Sequence, residues 1–414
     1  MGLETVSSAG SNASGSSSTK QSLTSASRDP KYYFEDGSDV FFIDGVLFKV
    51  RTIDGRFNDY LVSQKKLQGS LLTSHSEKTS EFAAFIRKQI SGTNRKGTSD
   101  ANPIEIRNIK APQFRNLLFA LLGTPADPDY LSLLTDASRT NYHTQETFFR
   151  YLDINLLAVY FGMKGLELWA HAQLELVLQS STRLSNYAWG KDTLLQAISC
   201  ANNRPKGTQD VSRNMLAFVC LILGSSTDPL QSSRAHTAAN LNTCVQLYKD
   251  ASLPGALPTL FGCVFTLILS LGHQSTVWKD KLTRDERAAL YVAQATFTRL
   301  TRHPELSLDW LSSPLTTIAA GEVCHMCKQH FNVLWGSSFG RCPDLNSVVP
   351  LEDVVELARL PQYRQTFADA VYSSAWVCEL HYMTGKKLLT AIDTRMGETY
   401  SKFTSEYKRI LSEL

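Results

Sequence analysis

Residues 32 to 51 read YYFEDGSDVFFIDGVLFKVR, and the fold turns on the pair Asp44-Gly45 inside that stretch. Val40-Phe41-Phe42-Ile43 and Val46-Leu47-Phe48-Lys49-Val50 are rich in β-formers, and Asp-Gly is a preferred pair for a two-residue type I′ hairpin turn. With those two residues as the turn, Ile43 faces Val46 and Phe41 faces Phe48. One face then carries Phe41, Ile43, Val46 and Phe48 and is expected to be core, because side chains alternate across a strand. The other face carries Val40, Phe42, Leu47 and Lys49 and is only partly apolar. Val40, Phe42 and Leu47 are therefore the candidate interaction residues, to be covered either by the segment after Arg51 or by another molecule.

Upstream, residues 1 to about 30 are Ser, Gly, Ala and Thr with almost no large apolar side chain, the composition of a disordered tail. Downstream, residues 51 to 64 read as irregular or as a third short strand. Gln64 to His75 and Ser80 to Gln89 read as helices, the second with Phe82, Phe85 and Ile86 on one face. After the polar loop Gly92 to Asn102, Pro103 to Arg107 alternates like a strand. A helix follows, with Pro112 in its first turn, Phe114, Leu117, Leu118 and Leu121 at helical spacing, and Gly123 as its stop. Thr124 to Gln145, with Pro125 and Pro128, reads as an insertion. Glu146 to Leu178 is helical with a break at Phe161 to Gly165.

Beyond Ser180 no strand series is evident. Leu194 to Ala201, Ser212 to Leu223, Ala238 to Tyr248, Pro258 to Leu271, Asp285 to Arg299, Leu351 to Leu360 and Thr366 to Ile410 all fit helices, the last interrupted at Gly385 or Gly397. No fixed repeat period is present.

Three phrases resemble the BTB/POZ fold, and in particular the BTB proteins expanded in mushroom-forming fungi. They are Tyr32 to Val40 with Leu47 to Val50, then Asn102-Pro103-Ile104 leading into Phe114 to Leu118, and finally Leu156-Leu157 and Phe161-Gly162 followed by the leucine-rich Leu166 to Leu178. Where that family has a His and a basic residue running straight into its first helix, the helix on which BTB dimers usually pack, this chain has Arg51-Thr52 and an extra segment, Ile53 to Val62. The resemblance implies an α+β class: a BTB/POZ-type domain over residues 31–180, a small sheet with helical cover, followed by an all-α C-terminal region. That region divides into helices over 181–320 and helices with a Cys cluster over 321–414. It also implies a non-enzymatic protein-interaction role, by self-association as a homodimer or as adaptor or scaffold for a regulatory complex such as a cullin ubiquitin ligase or a transcriptional regulator.

Composition narrows the alternatives. With 42 basic and 39 acidic residues, a net charge of +3, the composition is too balanced to argue for a nucleic-acid footprint or an anionic membrane surface. The amino terminus lacks a secretory pattern, and Val6 stands where a myristoylation signal wants Ser or Thr. The sequon Asn12-Ala13-Ser14 would then never meet the glycosylation machinery. The most apolar run, Leu260 to Leu271, is far short of the ~20 residues of a spanning helix, so it reads as a buried helix. Cys200, Cys220, Cys244 and Cys263, each alone in an apolar or amphipathic stretch, look like reduced core thiols, which places the protein in the cytoplasm or nucleus.

Chemistry-bearing patterns are few. Cys324, Cys327, Cys378 and His381 combine a Cys-x-x-Cys knuckle with Cys-x-x-His, a tetrahedral zinc set in type, but the gap between the halves is far wider than finger spacing. A zinc-stabilised, nucleic-acid-associated regulator would use these residues. Gly336-Ser337-Ser338-Phe339-Gly340 matches a nucleophile elbow, with Glu352 or Asp353, Asp369 and His381 downstream in hydrolase order, yet no supporting strands surround it. A carboxy-terminal hydrolase is the enzymatic alternative. His171 and Glu175 lie one turn apart and read as a solvated helix face. No catalytic residue, cofactor or small-molecule substrate is expected.

Overall fold

The computed structural model describes residues 26–37, 39–50, 96–179, 181–202, 209–226, 235–297, 309–312, 325–339, 354–373 and 379–414, with scattered positions between 76 and 89 and between 300 and 308. The tail to residue 25, the segment 51–75 with its expected strand and helix, and most of the Ser80 to Gln89 helix lie outside them. The chain is α+β, mostly helical with one small mixed sheet. It divides into two compact units, Met1–Leu134 with Phe149–His171, and Thr135–Phe148 with Ala172–Leu414. The stretches 181–320 and 321–414 thus belong to a single unit.

In the first unit the four strands are β1 (Ser27–Tyr33), β2 (Asp39–Ile43), β3 (Val46–Val50) and β4 (Ile104–Glu105), ordered β1-β3-β2-β4. The hairpin has the register expected from its turn: Ile43 opposite Val46, Phe41 opposite Phe48, Phe42 opposite Leu47. Asp44 and Gly45 both take left-handed φ, 50° and 78°, as a type I′ turn requires. Asp44 does a second job, its Oδ2 accepting the Ala111 N–H at the start of α1 (Ala111–Leu122). Helix α1 lays Phe114, Leu117 and Leu118 on the core face, with the Phe114 ring 5.0 Å from Phe48 and 6.1 Å from Phe41.

Strand β1 corrects the expected boundary of the tail. Ser27–Tyr33 pairs in parallel with β3, so the ordered chain begins before residue 31. Its anchor is polar. The buried Asp29 carboxylate accepts the N–H groups of Lys31 and Tyr32 at 3.0 and 2.8 Å and pairs with Arg115 Nε at 2.6 Å. At the strand's ends Arg28 bonds Asp100 at 2.8 Å, and the Tyr33 hydroxyl donates to the same carboxylate at 2.6 Å.

Helix α1 stops at Gly123, but Gly123 has an ordinary extended backbone. A Cβ there would lie 1.9 Å from the ring of Tyr130, so the glycine serves close approach of α2 (Pro128–Thr135). The expected insertion therefore contains a helix. Helices α3 (Gln145–Phe161) and α4 (Lys164–Gln179) meet at a corner where Gly162, φ 67°, gives its N–H to Val159 and Met163 gives its N–H to Ala158. These two bonds are the Schellman closure of a helix end.

The second unit contains α5 (Lys191–Asn202), α6 (Gln209–Ser225), α7 (Ala235–Tyr248), α8 (Pro258–Ser270), α9 (Arg284–Thr296), α10 (His325–Phe339), α11 (Val354–Ser373) and α12 (Glu379–Glu413). Helix α8 is the apolar run read from sequence, and every residue from Leu260 to Leu269 is buried. Helix α12 runs unbroken along it, so neither Gly385 nor Gly397 interrupts a helix. Gly385 instead admits Val371, whose Cγ1 would stand 2.7 Å from a Cβ there. Helix α11 also continues through Pro361, where a boundary was expected between Leu360 and Thr366.

Polar side chains lock this core. Arg364 on α11 makes a bidentate pair with Asp393 on α12, both bonds 2.8 Å, and reaches Asn214 on α6 at 2.9 Å. Buried Asn240 accepts the Trp189 N–H at 2.8 Å and donates to Tyr187 at 3.0 Å, fixing the loop before α5. Thr283 and Glu286 form a capping box at the start of α9, the Thr-x-x-Glu signature of a helix start.

Candidate functional site

Of the three interaction residues read from the hairpin, Val40 and Leu47 are buried and only Phe42 stays half-exposed. That face is covered within the chain, so Val40 and Leu47 are core and not a partner surface. At its edges β1 flanks β3 and β4 flanks β2, so both hairpin strands have a neighbour on the outer side. On the opposite face Val46 is half-buried, while Phe41, Ile43 and Phe48 are fully enclosed.

The Cys/His set is not brought into view. Cys324 and Cys378 lie outside the described residues, and Cys327 and His381 belong to α10 and α12 by backbone alone. No group of three metal-ligating side chains occurs among the described residues. Gly336 to Phe339 form the last turn of α10, so Ser338 does not sit at a strand-to-helix elbow. Of the acids in that alignment, Glu352 and Asp353 lie outside the described residues, and Asp369 accepts from Gln365 Nε2 at 2.8 Å and from the Thr182 hydroxyl.

His171 corrects another expectation. It is buried, on the α4 stripe of Glu167, Ala170, Leu174 and Leu178, because the apolar spacing turns that side of the helix inward. Glu175 instead pairs with Lys386 at 3.3 Å. The four cysteines read as core thiols are all buried and free. Burial pushes the Cys244 thiol up to about 12, with nearby Cys220 adding to it, and raises Cys263 as well. Such thiols stay protonated and inert at physiological pH.

The exposed apolar chemistry of the first unit gathers in two grooves that the sequence reading missed. One, of about 370 Å³, is lined by small Ala120 and Gly165 and by large Tyr130, Leu134, Leu166 and Trp169. Leu131, Leu134 and Leu168, on two of the three helices that line it, are exposed. The signal was present in Pro128 to Thr135, PDYLSLLT, where leucines at 131, 133 and 134 cannot all face one side of a helix.

The second groove, of about 680 Å³, runs beside β4 and is lined by Phe85, Lys96, Glu105, Arg107, Val159 and Tyr160 among others. Arg107 Nε donates to Glu105 at 2.9 Å, and that bond raises the guanidinium's pKa further. Lys96 and Arg107 are both exposed, so among the described residues of its lining there is one positive charge beyond the Glu105–Arg107 pair. Chemically, both grooves are suited to holding apolar side chains of another chain.

None of the described helices is long and apolar enough to cross a membrane. Set against protein-family models, curated proteins and solved structures, the chain matches none of them.

Proposed function

We propose that this chain is a non-enzymatic protein-interaction protein that acts through its first unit, by self-association or as an adaptor or scaffold in a regulatory complex. One observation carries the reading: exposed leucines at 131, 134 and 168 beside a groove with Trp169 and Leu166 in its lining. Solvent-facing apolar groups gathered at a concavity mark a contact surface, whereas singly scattered ones are ordinary. The BTB/POZ resemblance supports the same role through the hairpin, the strand at Ile104 and the helices that follow it. The fold class alone would not select it.

The test pairs light scattering on the full chain with cross-linking of the tagged chain in extract of its source cells, wild type against Leu131→Glu/Leu134→Glu. The expected outcome is a mass above the 46.1 kDa monomer, or a defined cross-linked set, that the double variant loses while remaining folded. A monomeric wild type whose cross-linked set is unchanged in the variant removes the proposal.

A further inference from the structure

We infer that the groove beside β4 receives an extended, acidic segment of a partner protein, paired as an added strand on the sheet. This rests on the interaction reading above and names the partner's chemistry at a second place on the same unit.

Three observations converge. The first is the backbone of Glu105. Strand β4 is an outer strand, parallel to β2, with Ile104 opposite Phe41 and Ile106 N–H bonded to the Phe42 carbonyl at 3.1 Å. Bonding residues alternate along a parallel strand, so the N–H and C=O of Glu105 face away from β2. Neither has a partner among the described residues. An outward donor and acceptor on one residue are what a further strand engages.

The second observation is apolar. Phe85, Val159 and Tyr160 are 39%, 42% and 53% exposed, and all three line the groove that β4 borders. A strand laid on β4 presents every second side chain to that lining. The third is charge. Lys96 and Arg107 stand exposed on the rim, and among the described lining residues Glu105 is the one carboxylate, already held by Arg107. The surplus is positive, which favours a carboxylate on the incoming segment and disfavours a basic one. Strand β4 is two residues long and Pro103 precedes it. Both blunt the edge against long, indiscriminate strand pairing, leaving a short site whose selectivity comes from the groove and the rim.

The test pans a random dodecapeptide phage library on the immobilised full chain and measures the enriched peptides by fluorescence anisotropy. Expected are peptides alternating apolar residues with at least one Asp or Glu, whose affinity falls tenfold or more with Arg107→Glu. Glu105→Pro removes the outward N–H without touching the β2 ladder and should abolish binding, while Glu105→Ala keeps it. Thermal unfolding of each variant checks the fold, and Tyr160→Ala supplies an independent loss should Glu105→Pro unfold. No enrichment, or peptides that bind all variants alike, overturns the inference. The Leu131→Glu/Leu134→Glu protein separates the two readings. If it loses self-association or partners while no peptide is enriched on wild type, the interaction reading stands and only the β4 site falls.

Discussion

The Tyr400 hydroxyl donates to the carbonyl of Leu357 at 2.8 Å, and Leu357 is the residue whose main-chain donor Pro361 cannot supply. In an unbroken helix that carbonyl accepts from the residue four positions on, and proline has no N–H to give. Helix α11 therefore passes through Pro361 intact because a side chain from α12 replaces the missing bond. Tyr400→Phe should cost about 1–3 kcal/mol, the penalty for a buried acceptor left unsatisfied. Adding Pro361→Ala should recover most of that loss, and should recover more in the Tyr400→Phe background than in wild type. Urea titration of the four proteins reads the coupling; additive effects would refute this account.

The backbone of the same residue sets how near two helices lie. A Cβ on Gly262 would fall 1.8 Å from the Tyr400 carbonyl oxygen, and backbone cannot swing aside as a side chain can. Gly262→Ala should destabilise by about 2 kcal/mol or more, the usual scale of overpacking, despite alanine's better helix propensity. Gly397→Ala is the control. Its nearest neighbour would be Thr259 Cγ2 at 3.8 Å, so it should be neutral or gain up to about 1 kcal/mol. Equal losses at both sites would contradict the packing argument.

Asp29 holds β1 in place through three bonds from a buried carboxylate. Asp29→Ala should destabilise the first unit by about 2 kcal/mol, below the 3–5 kcal/mol of a fully buried pair, because Arg115 keeps partial access to water. Asp29→Asn, which can still accept from Lys31 and Tyr32, should lose less. Hydrogen exchange at the β3 amides should rise in Asp29→Ala; unchanged protection there would show that β1 does not depend on this anchor.

Acid should weaken the second unit in a defined window. Lys191, 2.6 Å from Asp250, and the Ser252 hydroxyl hold that carboxylate down at about 2. A depressed carboxylate contributes stability above its unfolded pKa near 3.9 and loses it as pH falls through the folded value. The drop therefore runs from about pH 4 to pH 2. Asp250→Asn should be less stable at pH 7 and show a shallower decline across that window. A parallel decline in the two proteins would argue against the linkage.

What the sequence made legible follows from how local each cause is. The hairpin could be read because Asp44 and Gly45 carry their turn geometry in their own dihedrals, and α8 because a run apolar on all sides can only be buried. Strand β1 could not be read, since its burial depends on Asp29 meeting Arg115, a partner far along the chain, and polar residues beside a Ser-rich tail carry no periodicity. Glycines misled for a related reason. Gly385 and Gly397 in α12 have the composition of a break, while Gly385 answers instead to a neighbouring helix. The hairpin's second face was misjudged because whatever encloses Val40 and Leu47 comes from elsewhere in the chain, which no residue in the hairpin encodes.

The strand order has a consequence in time. A chain made from its amino terminus exposes β1, β2 and β3 while β4, about fifty residues further on, has yet to be synthesised. At roughly 5–20 residues per second that interval lasts on the order of several seconds, whereas a hairpin closes within about 10 μs. During it the side of β2 that will receive Ile104 and Ile106 is an open template beside the aromatic pair Phe41 and Phe42. The nascent protein is therefore most prone to stick to its neighbours before Ile104 emerges, and slowing translation between residues 51 and 103 should lower its soluble yield more than slowing it anywhere beyond.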